Sequence, residues 1–182
     1  MADTDTAWFV YEHTVEGLFF KALRDRLTPG IQRRLKILGI DVSGKPKGVP
    51  HAQWKQALNL AATELFEGSI DERYRQLGRS VMLHHHETVI GKAVTTVLKL
   101  MGPRRVLGRV NNTLRSGNNY IHASLAPIGP TTWEGEVNEC NGNPNYVAGV
   151  MEQGLIISGG RNVRVEVFEF NGHSAKFRIA WD

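Results

Sequence analysis

The last third of the chain most constrains the fold, because strand-like and helical patterns follow one another there with few residues between them. Apolar and polar residues alternate with a period of two over 120–125, after the turn residues 116–119, and again over 131–137. This alternation is typical of half-buried strands. Pro144 then begins a helical pattern that ends near Gly154 or at Gly159-Gly160. Two strands followed by a helix are therefore predicted.

Two more alternating runs close the chain, one around 163–168 and one around 177–181. The Asn171-Gly172 pair between them predicts a two-residue type I′ hairpin. Residues 117–182 are thus predicted to form a ββαββ unit of largely antiparallel strands. Such a sheet has one face that must be covered, and the remaining helices are the available cover.

The first two-thirds of the chain shows helical periodicity with clear start and stop signals. Proline or an N-cap residue opens several of these segments, and glycine ends them. The predicted helices cover 7–27, 29–38, 50–66, 70–77, 79–101 and 103–110.

The segment 79–101 carries the longest helical pattern, and its apolar positions cover more than one face. We therefore expect this helix to be central and buried on several sides. Gly102-Pro103 is predicted to stop it, because proline cannot continue a helix and restricts the residue before it.

These patterns predict an α+β fold in which about five to six N-terminal helices pack on a C-terminal ββαββ antiparallel sheet. The chain has 182 residues, of which 41 % are hydrophobic and 22 % charged. This length and composition suit one domain with a sizeable core. We predict a single domain over 1–182, with a helical subregion 1–116 and a sheet subregion 117–182.

Cysteine use and hydropathy bear on the compartment. The single cysteine, Cys140, has no partner for an internal disulfide, and the N-terminus lacks the pattern of a secretory signal. Apolar runs are too short to cross a bilayer, since Lys92 and Lys99 interrupt the best one. We predict a cytoplasmic protein.

Charge is unevenly distributed along the chain. Residues 1–116 hold 18 Lys/Arg and 11 Asp/Glu, whereas residues 117–182 hold 4 and 7. Arg104, Arg105 and Arg109 cluster in one short segment and are candidate anion-binding residues. Nucleic acid is not favoured as a partner, because no zinc-ligand pattern or aromatic RNA-stacking motif accompanies the basic residues.

Three histidines and a glutamate, 84–87, form the most conspicuous polar cluster. Consecutive helix residues point about 100° apart, so the three imidazoles do not converge on one metal ion. One of them could ligate heme iron or zinc with a partner such as His13 or His122. The alternative is one packed imidazole and two solvated ones.

The sequence gives less support to a catalytic site. Cys140 with His122 or His173 would resemble a nucleophile and base, but Cys140 sits in turn residues. Glu134, Glu136 and Glu139 could be paired acids, but Glu134 and Glu136 share one strand face, which is most simply the solvent side. The glycine pairs lack the pattern of a phosphate-binding loop. We predict a protein that is not an enzyme.

Several short motifs carry a resemblance that spans nearly the whole chain. They are Leu77-Gly78, Gly91-Lys92-Ala93, Leu100-Met101-Gly102-Pro103-Arg104-Arg105, Ser116-Gly117-Asn118-Asn119-Tyr120, Gly149-Val150 and Phe177-Arg178-Ile179-Ala180-Trp181. In these motifs the chain resembles a myxobacterial paralogous family catalogued as domain of unknown function 2378. The motifs are mainly turn and packing residues, so the resemblance implies little about function.

The order of helices followed by ββαββ is also similar, more distantly, to the heme–nitric-oxide-binding domain and to the four-vinyl-reductase type of ligand-binding domain. This resemblance implies a ligand held between helices and sheet, by analogy with a fold. The heme-binding family uses a histidine on the helix before the sheet and a Tyr-x-Ser-x-Arg motif. Here 103–115 contains no histidine, and the nearest tyrosine starts the sequence Tyr-Ile-His-Ala-Ser at 120–124. The resemblance does not carry heme ligation over to these positions.

Our leading hypothesis is a non-enzymatic small-molecule-binding or sensory domain, whose pocket lies between the helix 79–101 and the inner face of the sheet. Mixed aromatic, aliphatic and sparse polar groups are typical of such pockets. The candidate lining residues are His86, Ile90, Val94, Tyr120, Trp133 and Tyr146. The alternative is a module that forms a homodimer or binds a protein partner. The cofactor is left open, with heme as one candidate.

Overall fold

A computed structural model of the chain describes residues 7–83 and 89–182, with the side chains of 89–95 left out. Helices dominate the first two-thirds. In chain order they are α1 (Glu12–Val15), a π-helix (Glu16–Ala22), a 3₁₀ turn (Arg24–Arg26), α2 (Pro29–Ile37), α3 (His51–Leu65), α4 (Ile70–Leu83), α5 (Val89–Leu107) and α6 (Val110–Ser116).

Six strands are present in the described residues. Two short ones, β1 (Phe9–Val10) and β2 (Val49–Pro50), pair within the helical part. The C-terminal unit consists of β3 (Ala123–Pro127), β4 (Thr132–Val137), α7 (Pro144–Ile157), β5 (Arg164–Phe170) and β6 (Ala175–Ala180). Its sheet has the order β3-β4-β6-β5 with antiparallel neighbours. The predicted α+β class with a ββαββ sheet is confirmed.

The inner face of the sheet contributes to the hydrophobic core. Val137, Phe177 and Ile179 are buried with the apolar side chains of the helices. The outer face carries charges in register, with Arg178 opposite both Glu134 and Glu166. Opposite charges across neighbouring strands stabilise each other. The sheet therefore covers the helices with one face and meets solvent with the other.

The predicted first helix, 7–27, is wrong at its start and in its regularity. Phe9 and Val10 form β1, and α1 begins only at Glu12. The backbone here is used in pairing: the Phe9 amide donates to the Asn119 side chain at 2.8 Å, and Val10 bridges to Asn118. These contacts hold an extended conformation against local helical preference.

The sequence leaves open whether Gly78 bends or ends its helix, and in the structure α4 runs through this glycine to Leu83. A Cβ on Gly78 would overlap the Tyr146 carbonyl oxygen, and one on Gly149 would overlap the Arg75 carbonyl oxygen. The two glycines therefore let α4 and α7 approach at backbone distance. Most of α7 is buried, so α7 takes the central place that was predicted for the helix 79–101.

The described residues cover the predicted helix 79–101 only in part, and both described parts, 79–83 and 89–101, are helical. The segment 84–88 lies outside the described residues, and α5 starts at Val89. Val97 is 54 % exposed and Leu100 77 % exposed, so this part of α5 is not buried on several sides. The predicted interruption at Gly102 is confirmed, since this glycine has a non-helical conformation with φ +74°.

Two strand boundaries also differ from the prediction. Strand β3 begins at Ala123 because the Asn118 side chain accepts the amides of Tyr120 and Ile121, which removes these residues from strand pairing. The last hairpin has a four-residue loop, with Phe170 opposite Ala175. Its Asn171 side chain accepts two amides of the loop, so it builds a longer turn instead of a type I′ turn.

The close contact between α4 and α7 predicts that Gly149→Ala lowers the free energy of unfolding by at least about 2 kcal/mol, because the added methyl group meets backbone that cannot yield. Urea denaturation followed by circular dichroism measures this loss. Gly154→Ala on the same helix is the control, since its Cβ would find only Met82 Cε at 3.8 Å. We expect this control to keep or gain stability, by up to about 1 kcal/mol. Equal stability of the two variants would contradict the prediction.

Candidate functional site

A cavity of about 340 Å³ lies between the π-helix, α4, α6, α7 and the segment 117–121. This volume is at the small end of the range for ligand pockets. Its apolar wall comes from residues on four helices: Trp54, Val81, Met82, Leu114 and Val150. The strands of the four-stranded sheet contribute no lining residue among those described, so this cavity lies among helices, the segment 117–121 and the short strand β1, and not between helix and four-stranded sheet.

Tyr146 supplies a polar group on the α7 side of the cavity. The residue is only 8 % exposed, but its hydroxyl oxygen is accessible to water, and it has no hydrogen-bond partner within 7–83 and 96–182. Burial raises the pKa of the Tyr146 hydroxyl, so the group remains a protonated donor at neutral pH. A hydroxyl in this position can donate to a water molecule or to a bound ligand. A bound molecule with an acceptor atom would take the place of that water.

Tyr120 forms another part of the cavity wall, and its hydroxyl already has a hydrogen-bond partner in the protein. It donates to the Asn141 side-chain oxygen at 2.7 Å. The Tyr120 ring stacks on Trp8, with ring centres 5.2 Å apart, and contacts the His51 ring at 4.6 Å. Tyr120 is therefore fixed by contacts on three sides.

A buried carboxylate, that of Glu139, lies behind this wall. Glu139 has 0 % of its surface exposed, and its Oε1 atom accepts the Asn141 amide at 2.7 Å. Its Oε2 atom is 3.2 Å from Nδ1 of His173. A buried charge needs such partners, because the unpaired ion would be strongly disfavoured.

His51 is the third neighbour of this carboxylate, at the start of α3. Its Nε2 atom is 3.5 Å from Glu139 Oε1, which is too long for a hydrogen bond, and no described residue bonds to this nitrogen. Desolvation lowers the pKa of His51, and the attraction of Glu139 offsets this only in part. The imidazole is therefore predominantly neutral at neutral pH.

The charged groups at the rim of the cavity largely compensate one another. Lys21 pairs with Glu16 at 3.0 Å on the π-helix. His13 also lines the rim and is exposed. A charged ligand group buried in the cavity would find no unpaired lysine or arginine on the described wall, so the cavity favours neutral molecules.

The structure brings together two of the six predicted lining residues, Tyr120 and Tyr146. Trp133 is buried on β4 outside this cavity, and its indole nitrogen has no hydrogen-bond partner in the described part of the chain. His86 lies outside the described residues, and for Ile90 and Val94 only the helical backbone of α5 is described. A binding role for these four residues remains a prediction.

The predicted anion-binding arginines, Arg104, Arg105 and Arg109, are exposed around the end of α5 and the start of α6. None of them forms an ion pair with another described residue. An anion-binding role for them remains a prediction.

Cys140 does not have the surroundings of a nucleophile. It is fully buried, and desolvation, with Glu139 nearby, raises the pKa of its thiol to about 12. His173 contacts Glu139 and not the thiol. Over 7–83 and 89–182, no group of three or more potential metal ligands converges. The histidines 84–86, any one of which could ligate a metal although no metal site was predicted, lie outside these ranges.

Sequence reasoning considered Glu139 only as one of three possible paired acids, and it assigned Asn141, His51 and Trp54 to no site. The pair Asn141-Gly142 is typical of a tight turn, and this local pattern could have indicated the turn. In the structure both residues adopt positive φ, 54° and 92°. No pattern in the sequence relates His51 to Glu139, since they are far apart in the chain and meet only in the folded structure.

His51 predicts a pH dependence of stability. In the unfolded chain histidine takes up a proton near pH 6.5. Burial lowers the pKa of His51 in the folded protein, so the unfolded chain binds this proton more readily. The contribution of neutral His51 to the free energy of unfolding is therefore complete above about pH 6.5 and is lost as the pH falls toward the folded pKa. We expect the free energy of unfolding to drop less between pH 7.5 and 5.5 in His51→Gln than in the wild type. The exposed control His122→Gln should match the wild type in urea denaturation. Equal pH slopes for all three proteins would refute this role.

Known structures share the architecture. The Fe(II) unliganded H-NOX protein from K. algicida is 12 % identical, with a TM-score of 0.65, over 94 % of this chain and 96 % of that chain. An H-NOX variant from T. tengcongensis is 16 % identical, with a TM-score of 0.61, over 94 % and 97 %. These identities show the fold alone, so the chain has an H-NOX-like fold. The predicted likeness to the four-vinyl-reductase type and the myxobacterial origin remain predictions.

Another solved H-NOX structure, described as probing the function of heme distortion in the H-NOX family, is 17 % identical to this chain. Its TM-score is 0.60, over 94 % of this chain and 95 % of that chain. Heme ligation as the resemblance implies it needs a histidine on the helix before the sheet. From α6 the cavity is faced instead by Thr113 and Leu114, which are not iron ligands. His122 and Ser124 stand where the motif has serine and arginine. The described residues do not fit heme held in that way.

No curated protein matches the sequence significantly. None of the described helices is long and apolar enough to span a membrane. A family profile, described as protein of unknown function (DUF2378), matches residues 9–182. This match covers the helices, the cavity and the sheet, so the chain belongs to the DUF2378 family.

Proposed function

We propose that the protein is a non-enzymatic, cytoplasmic small-molecule-binding domain of sensory type, with the cavity beside Tyr146 as its binding site. The observation that carries this proposal is a hydroxyl on the wall of a mainly apolar cavity that has no acceptor among the described residues. Apolar walls with few polar groups are what ligand pockets require. The H-NOX-like fold supports the proposal by analogy.

The position of the cavity also supports a sensory role. Its wall includes Val81 on α4 and Tyr146 on α7, the two helices that touch through Gly78 and Gly149. Arg75 of α4 extends this contact, since it donates to the Val165 carbonyl on β5 at 3.0 Å. A ligand that separates or draws together the two helices would therefore act on an edge strand of the sheet. Such a rigid contact is suited to carrying a small displacement to the surface.

The first test fills the cavity. N-phenyl-1-naphthylamine is a neutral dye that fluoresces in apolar surroundings, and we expect the wild type to bind it. Val81→Phe places a ring inside the cavity and should weaken dye binding at least about 10-fold, or roughly 1.4 kcal/mol. Val97→Phe makes the same exchange at an exposed site and should bind like the wild type.

Fluorescence titration measures both variants, and circular dichroism checks that they fold. Unchanged affinity in Val81→Phe would show that the dye binds elsewhere. A wild type that binds no dye, and that purifies at its bare mass in native mass spectrometry without a visible absorption band, would count against a binding function.

The second test asks whether the Tyr146 hydroxyl donates to the ligand. Acetophenone carries a carbonyl acceptor, and α-methylstyrene has nearly the same shape without it. Tyr146→Phe should weaken acetophenone binding about 10-fold, the value of one hydrogen bond to a buried donor, and should change α-methylstyrene binding less than about 2-fold.

Tyr74→Phe is the control for this test, because Tyr74 is a buried tyrosine outside the cavity whose hydroxyl bonds to Asn59. NMR titration of both compounds measures the affinities. An equal effect of Tyr146→Phe on the two compounds would exclude this donor role.

Protein association is a second candidate function, favoured by one observation. Val97 and Leu100 are three residues apart on α5 and are largely exposed, which places two apolar side chains on one helix face. Sedimentation velocity over a range of concentrations tests the predicted homodimer. A dimer that Leu100→Glu dissociates would support it, and a monomer at all concentrations would not.

A further inference from the structure

A chain of hydrogen bonds joins the buried carboxylate to the cavity. Glu139 accepts the Asn141 amide at 2.7 Å, and the Asn141 side chain accepts the Tyr120 hydroxyl at 2.7 Å. Asn141 has φ +54°, a conformation that residues other than glycine adopt at a cost and keep only when contacts hold them there. The bond to Glu139 is one such contact, so Glu139 acts on the cavity wall through Asn141 and Tyr120.

Two imidazoles compete for the same carboxylate from different elements. His51, on α3, has 14 % of its side chain exposed and faces Oε1, the atom that holds the Asn141 amide. His173, in the loop between β5 and β6, has 72 % exposed and faces Oε2. Of the other titratable groups, Cys140 and Tyr120 interact with Glu139 itself. Lys55 on α3 interacts with His51, and Glu136 on β4 interacts with Cys140.

Protonation changes this competition. Neutral His51 makes no hydrogen bond to the carboxylate, and Oε1 accepts the hydrogen bond of the Asn141 backbone amide. An imidazolium is a charged donor, and a charge-assisted hydrogen bond is about twice as strong as a neutral one. Protonated His51 and His173 would attract both oxygens of Glu139, and the amide of Asn141 would lose part of its partner. Tyr120 would then be held less rigidly.

We infer that Glu139 is a positioning residue for the cavity, and that acid weakens ligand binding because the two imidazoles draw its carboxylate away from Asn141. A less rigid wall binds more weakly, since the ligand must then order it. This inference rests on the proposed function, and it adds a regulation of the same site by pH.

The test is the affinity for N-phenyl-1-naphthylamine at pH 7.5 and 5.5, a range in which the dye stays neutral. We expect the dissociation constant of the wild type to rise about 5-fold in acid, which corresponds to roughly 1 kcal/mol. Glu139→Gln keeps the size of the side chain and removes its charge, so its affinity should change less than about 2-fold with pH. The double variant His51→Gln with His173→Gln keeps the carboxylate and should give the same flat profile, which maintains the test if Glu139→Gln does not fold.

The control is His122→Gln, which removes an exposed imidazole outside this network and should retain the wild-type profile. A pH-independent affinity of the wild type, or a full pH response in both network variants, would overturn the inference and leave the proposed function standing. A wild type that binds no dye at either pH would overturn both.

Discussion

The contact between α4 and α7 is the constraint on which the rest of the structure depends. Gly78 and Gly149 face each other's helix so closely that a methyl group at either position would overlap backbone. Packed interiors cannot absorb such an overlap without moving a whole element. The crossing therefore fixes where Tyr146 and Val150 stand relative to Val81, and it sets one side of the cavity. The same crossing brings Arg75 within reach of the sheet, so helices, cavity and sheet are positioned together.

The second constraint is the buried carboxylate of Glu139, whose neighbours lie at different distances from it. Glu139 is fully enclosed, and among the described residues the backbone amide of Asn141 and the largely exposed His173 are within hydrogen-bond distance. His51 lies close without forming a bond. Buried ionic groups are weak evidence for stability, because desolvation offsets much of their attraction. Their arrangement here suits a role in holding the turn at Asn141 and, through it, the wall at Tyr120.

The chain shares an H-NOX-like architecture, yet the described cavity does not contain the heme ligands that the resemblance would require. A fold specifies where a pocket can form, and individual side chains decide what enters it. In this chain Thr113 and Leu114 face the cavity from α6, and the rim charges Glu16 and Lys21 pair with each other. These features are compatible with the proposed small neutral ligand. Membership of the DUF2378 family fits this picture and does not define the ligand.

The sequence by itself determined the order and type of most elements. Alternation with a period of two revealed the four strands, Pro144 began α7, and Gly102-Pro103 interrupted α5, because these signals depend on backbone preferences within a few residues. Tertiary structure decided the conformation of Phe9 and Val10, the continuity of α4 through Gly78, and the burial of α7 instead of α5. It also decided the site: Tyr120 and Tyr146 could be named from their residue types, but Glu139, Asn141 and His51 could not be grouped. Distances between residues far apart in the chain are set by packing, and local sequence preferences carry no information about them.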